Sequence, residues 1–113
     1  MHELTLAREI VTIVQMAAQN QNIHHIRRIR VELGAFGHVE EGALHFAFAA
    51  AANDTIAAVS LLEISRLPGQ AWCYDCDKAV ALSTRLAPCP LCGGEKLDVI
   101  GGTELRVVDM EVE

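Results

Sequence analysis

Four cysteines stand at positions 73, 76, 89 and 92, inside twenty residues of a 113-residue chain. They form two Cys-x2-Cys pairs with twelve residues between them. Two residues between thiols let both sulfurs approach one ion while turn amides point toward them, and four thiolates suit a tetrahedral Zn(II). The second pair, Cys89-Pro90-Leu91-Cys92-Gly93-Gly94, holds the turn residues that such a bend needs. A zinc ribbon is therefore expected here. A redox pair would not account for two copies, whereas an iron–sulfur cluster is compatible with the spacing. Four protein ligands leave a tetrahedral ion no open position, so the expected role is structural and not catalytic. A segment of roughly thirty residues with few core side chains does not fold alone, so the metal is expected to supply much of its stability.

The other candidate is His2. The Met1 amine, the His2 backbone nitrogen and the His2 imidazole can close fused chelate rings on one ion, and square-planar nitrogen donors favour Ni(II) or Cu(II). Glu3 adds a neighbouring carboxylate. Taken alone, a histidine beside an initiator methionine is usually accidental.

These groups need elements to hold them. Over residues 3–20, Leu4, Leu6, Ala7, Ile10, Val11, Ile13, Val14, Ala17 and Ala18 fall on one half of a helical wheel. Ile29, Val31 and Leu33 then alternate with Arg28, Arg30 and Glu32, the period of a half-buried strand, and Gly34 and Gly37 end it. A second helix is expected to start near Val39–Glu41, its acids favoured by the positive end of the helix dipole, and to stop at Asn53-Asp54. Leu61 to Leu67 reads as a strand closed by Pro68-Gly69. The tail 104–113 is a further strand in which Leu105 and Val107 lie on one parity and Val108, Met110 and Val112 on the other, so a bulge is expected at Val107-Val108. That tail needs a sheet partner, and the available strands precede residue 68. The expected fold is therefore α+β: two helices on a small, about three-stranded sheet (1–68 plus 103–113), with a zinc ribbon inserted at 69–102 and a C-terminal strand returning to the sheet.

Composition narrows the function. Apolar residues make up 51% and aromatics 4%, so Ala, Leu, Ile and Val must build the core. Nine basic and fifteen acidic residues give a net charge of −6, which opposes a nucleic-acid binder. No signal-like N-terminus is visible, and residues 43–62 are too interrupted by polar groups for a membrane span. A cytoplasmic protein with reduced cysteines is expected. The closed metal site and the lack of a nucleophile–base pair at informative spacing argue against an enzyme.

Met1-His2-Glu3 opening an amphipathic helix, Val31-Glu32-Leu33-Gly34-Ala35, Val39-Glu40-Glu41, Ala71-Trp72-Cys73, Cys89-Pro90-Leu91-Cys92-Gly93-Gly94, and the ending Glu104-Leu105-Arg106-Val107…Glu111-Val112-Glu113 together resemble the HypA/HybF family from first to last residue. These are nickel-insertion accessory proteins of [NiFe]-hydrogenase maturation. The resemblance implies a metallochaperone that binds Ni(II) at the N-terminus through His2 and neighbouring backbone nitrogens. It implies structural Zn(II) on Cys73, Cys76, Cys89 and Cys92, and an acidic residue, Glu40 here, able to approach the nickel. The implied partners are a HypB-type GTPase, the hydrogenase large-subunit precursor and, in some organisms, urease maturation proteins. A homodimer stays open, since the alanine-rich 47–58 stretch suits either the core or a second copy. His24-His25 is expected in a solvated loop, His45 on the polar side of the second helix, and His38 as a secondary nickel candidate. Trp72 is expected to shield the zinc. The nearest alternative is a zinc-ribbon interaction scaffold without nickel transfer.

Overall fold

The structure, a computed structural model, describes residues 3–113. Helix α1 spans Glu3–Asn20 and buries Ala7, Ile10, Val11, Val14 and Ala18. Its buried stripe is narrower than the wheel suggests, because Leu4 and Ile13 lie at the margins and remain about half exposed. Helix α2 spans Glu41–Ala52, buries Leu44, Ala47, Phe48 and Ala52, and packs against α1. Strands β1 (Ile26–Gly34), β2 (Leu61–Leu67) and β6 (Leu105–Val112) form one sheet in the order β2-β1-β6, so the C-terminal strand returns to pair with β1. Ile26, Ile29, Val31 and Leu33 are the buried apolar side chains of β1.

The solvent face of this sheet carries cross-strand ion pairs. Arg30 grips both carboxylate oxygens of Asp109, and Arg106 lies 3.7 Å from Glu32. Arg27 and Arg28 both reach Glu111, at 3.3 and 3.8 Å. On β6, Val108 is exposed.

A second sheet has the order β4-β3-β5, made of β3 (Gly69–Cys73), β4 (Lys78–Leu82) and β5 (Leu97–Gly101), both pairings antiparallel. The chain divides into two compact units: Met1–Glu32, Val39–Ser65 and Arg106–Glu113 in the first, Leu33–His38 and Arg66–Leu105 in the second. The segment Leu33–His38 belongs with the cysteines for a packing reason. The Phe36 ring fills a slot between Gly69 and Gly102, where a Cβ on Gly69 would lie 1.9 Å from the ring. The Phe36 N–H donates to Gly102 O at 2.8 Å and the Gly34 N–H to Glu104 O at 2.9 Å.

Candidate metal centre

The two cysteine pairs sit on two tight turns. Cys73 ends β3, and the chain reverses through Tyr74–Asp77 into β4 with the Asp77 N–H donating to Cys73 O at 2.8 Å. Asp77 closes the turn at φ 57°, a left-handed conformation that Asp tolerates. In the second turn, the Gly93 N–H donates to Cys89 O at 2.8 Å, and Gly93 takes φ 73°, where glycine carries no steric cost. Both turns aim amides at sulfur: Cys76 N–H at Cys73 Sγ (3.4 Å), Leu91 N–H at Cys89 Sγ (3.4 Å) and Gly94 N–H at Cys92 Sγ (3.3 Å).

All four sulfurs lie within 4.8 Å of one another, and two of the cross-turn distances are 3.7 Å (Cys73–Cys92) and 3.8 Å (Cys76–Cys89). A tetrahedron with metal–sulfur bonds of about 2.3 Å has edges of about 3.8 Å, so the donor set fits a tetrahedral thiolate-bound ion. Cys73 and Cys89 are buried with Phe36, Ala71, Val80 and Leu82 in one apolar cluster, while Cys92 is exposed. Hydrogen bonding with Cys92, followed by burial, pushes the Cys76 thiol up to about 12. Burial also acts to raise Cys89, but backbone N–H groups of Cys92 and Leu91 outweigh it and bring this thiol down to about 7. The Cys89 thiolate forms readily while Cys76 and Cys92 resist ionisation; a dication held by all four cysteines removes that conflict and releases protons on binding.

Trp72 does not shield this site. Alternation along β3 puts its half-buried ring on the face opposite Cys73, between Ala79 and Asp98 of the flanking strands.

Met1 and His2, the expected nickel donors, lie outside the described residues. Glu3 and Glu40 are brought together: the Glu40 N–H donates to Glu3 Oε2 at 3.4 Å. The Glu3 carboxyl is held below the usual carboxylate range by backbone N–H groups, its own first and then that of Glu40. Glu40 is the N-cap of α2, with Oε1 accepting from Gly42 N–H at 3.0 Å and Oε2 from Ala43 N–H. This capping role was missed in the sequence, because glutamate is not a favoured cap residue. His24, His25 and His45 are exposed, with His25 Nε2 3.4 Å from Glu113. His38 is exposed in a left-handed conformation two residues before Glu40. Among the described residues, the four cysteines are the cluster with metal-ligand geometry.

Comparisons with known proteins point one way. Residues 1–112 match the family described as HypA, hydrogenase/urease nickel incorporation, metallochaperone. The chain is 46% identical over 113 residues to the hydrogenase maturation factor HypA of Rhodopseudomonas palustris (strain BisA53), covering all of both chains. It is 42% identical over the same length to that of Methylocella silvestris, again covering all of both. In fold it matches the solution structure of the nickel metallochaperone HypA from Helicobacter pylori, with a TM-score of 0.74 at 19% identity, covering 99% of this chain and 97% of the other.

Proposed function

The chain belongs to the HypA family of hydrogenase/urease nickel-incorporation metallochaperones, and on that premise we propose that it carries Ni(II) at its own N-terminus and hands it to the hydrogenase large-subunit precursor. The Met1 amine and the His2 nitrogens are the chelating donors. Glu3 and Glu40 supply negative charge beside them, Glu3 as a further donor and Glu40 from its cap position. The contact that supports this reading is the bond from the Glu40 N–H to the Glu3 carboxylate. It ties the start of α1, which follows directly on His2, to the N-terminus of α2. A chelate at the end of a chain suits a carrier: few donors hold the ion, and an acceptor with more ligands can take it.

In this reading the nickel-binding domain, expected at 1–68 plus 103–113, is the first unit, without Leu33–His38, which packs with the second. The ribbon, 69–102, holds Zn(II) on Cys73, Cys76, Cys89 and Cys92 as a structural ion. Bound there, zinc supplies a charge centre that fixes the two turns. The protein acts as a carrier without catalysis in the cytoplasm, where thiols stay reduced. It works with a HypB-type GTPase and, where urease is present, with urease maturation proteins; a homodimer fits the same role.

Equilibrium dialysis with Ni(II) tests the proposal on three proteins: wild type, His2→Ala, and a version with residues added before Met1 that convert its amine to an amide. Nickel binding is expected in the first and lost in the other two, with zinc content unchanged in all. Nickel binding that survives both changes overturns the terminal chelate, and a wild type that binds no nickel leaves a zinc-ribbon scaffold as the better reading.

A further inference from the structure

The second unit holds a cavity of about 630 Å³ outside the cysteine cluster. Ala35 and Phe36 line one side and the 83–86 loop, which follows β4, lines the other. Two features of this lining bear on what it could hold. Leu86 is 96% exposed at the cavity. Beside it, the central carbon of the Arg85 guanidinium lies over the Phe36 ring, 5.1 Å from its centroid.

Arg85 also differs from the arginines of the first sheet. Arg27, Arg28, Arg30 and Arg106 each face a carboxylate. Among the described residues no carboxylate lies within ion-pair distance of Arg85. In a chain of net charge −6, an arginine set over an aromatic ring and lacking an acid is a cation available to a partner's carboxylate. Its guanidinium N–H groups can take that carboxylate in a bidentate pair. The remaining lining groups, Ser83, Thr84 and His38, carry no opposing charge at neutral pH.

We propose that this cavity docks an extended segment of the nickel-accepting protein in which an apolar side chain is followed closely by a carboxylate. The apolar side chain packs on Phe36 and Leu86, and the carboxylate pairs with Arg85. Charge complementarity selects this occupant: a basic segment meets Arg85 with the wrong sign, and an uncharged one leaves it unused. His38 at the cavity precedes the Glu40 cap by two residues, so the docking site adjoins in sequence the segment leading to α2. The proposal rests on the carrier reading only in naming the occupant as the acceptor.

The full zinc-loaded chain, labelled with 15N, is titrated with two synthetic peptides, acetyl-Gly-Leu-Glu-Leu-Asp-Gly-amide and its counterpart with lysine in place of both acids. The acidic peptide is expected to shift the amides of 35–38 and 83–86. Its affinity is expected to fall at least about tenfold in both Arg85→Glu and Leu86→Ser. The lysine peptide is expected to bind Arg85→Glu more tightly than wild type. Unmoved amides at saturating acidic peptide, or equal affinity for the two peptides, overturns the proposal. Nickel dialysis on the same variants separates the two questions. Both should bind nickel as wild type does, and a wild type that binds peptide but no nickel overturns the carrier alone.

Discussion

The backbone N–H of Glu40 reaches the carboxylate of Glu3 across 37 positions of sequence. Glu40 then turns its own carboxylate forward onto the first amides of α2. The two acids therefore act in series, one anchoring the helix entrance and the other capping it.

Glu40 has a capping role, and the proposal adds an electrostatic one; substitution separates them. Glu40→Gln keeps an oxygen acceptor and should hold stability close to wild type while weakening nickel binding several-fold. Glu40→Ala should also cost about 1 kcal/mol of unfolding free energy in urea, the usual value of a lost cap. If Glu40→Gln binds nickel like wild type, capping is the whole of its role.

The Arg30–Asp109 pair predicts an acid-sensitive term. Hydrogen bonding with Arg30 holds the Asp109 carboxyl below its ordinary value against an opposing effect of burial. A carboxyl lowered on folding contributes fully above its unfolded value, about 3.9, and loses that contribution as pH falls through the lowered one. Urea midpoints of wild type and Asp109→Asn should therefore differ at neutral pH and converge on acidification below about pH 4. Parallel curves would show that the pair adds nothing.

Metal removal should act on one unit. Chelation, or Cys73→Ala, should expose the amides of β3, β4 and β5 to hydrogen exchange, because Cys73 and Cys89 are part of the second unit's own apolar cluster. The helical signal of α1 and α2 should persist. Simultaneous loss of helix and ribbon would mean that the ion supports both units.

Gly69→Ala should destabilise the protein, since the new methyl would lie 1.9 Å from the Phe36 ring. In a Phe36→Ala background the same change should cost much less, because the obstructing ring is gone. Additive costs in thermal unfolding would show that the slot is not what constrains Gly69.

Much of this was legible in the sequence where the signal is local. Periodicity located α1, β1 and β2, and cysteine spacing led to four converging sulfurs. Non-local packing was not legible. Nothing near Phe36 in sequence indicates that its ring fills a slot between Gly69 and Gly102, more than thirty residues away, so Leu33–His38 was not grouped with the ribbon. Trp72 was misplaced for a simpler reason: its neighbour Cys73 faces the metal site, and strand alternation sends adjacent side chains to opposite faces. Helix periodicity also overstated the buried stripe of α1, because it ranks directions and not depth.

The slot around Phe36 has a consequence for how the first sheet assembles. Gly69 and Gly102 approach so closely that a Cβ on Gly102 would lie 2.8 Å from the Gly69 Cα. The long excursion between β2 and β6 is thus pinched shut at its neck. Once the neck has formed, the path from Leu67 to Leu105 shrinks from about forty residues to about eight, and the entropic cost of closing that loop falls by roughly 1.4 kcal/mol. An early-folding ribbon would bring β6 toward its place beside β1 and speed completion of the sheet.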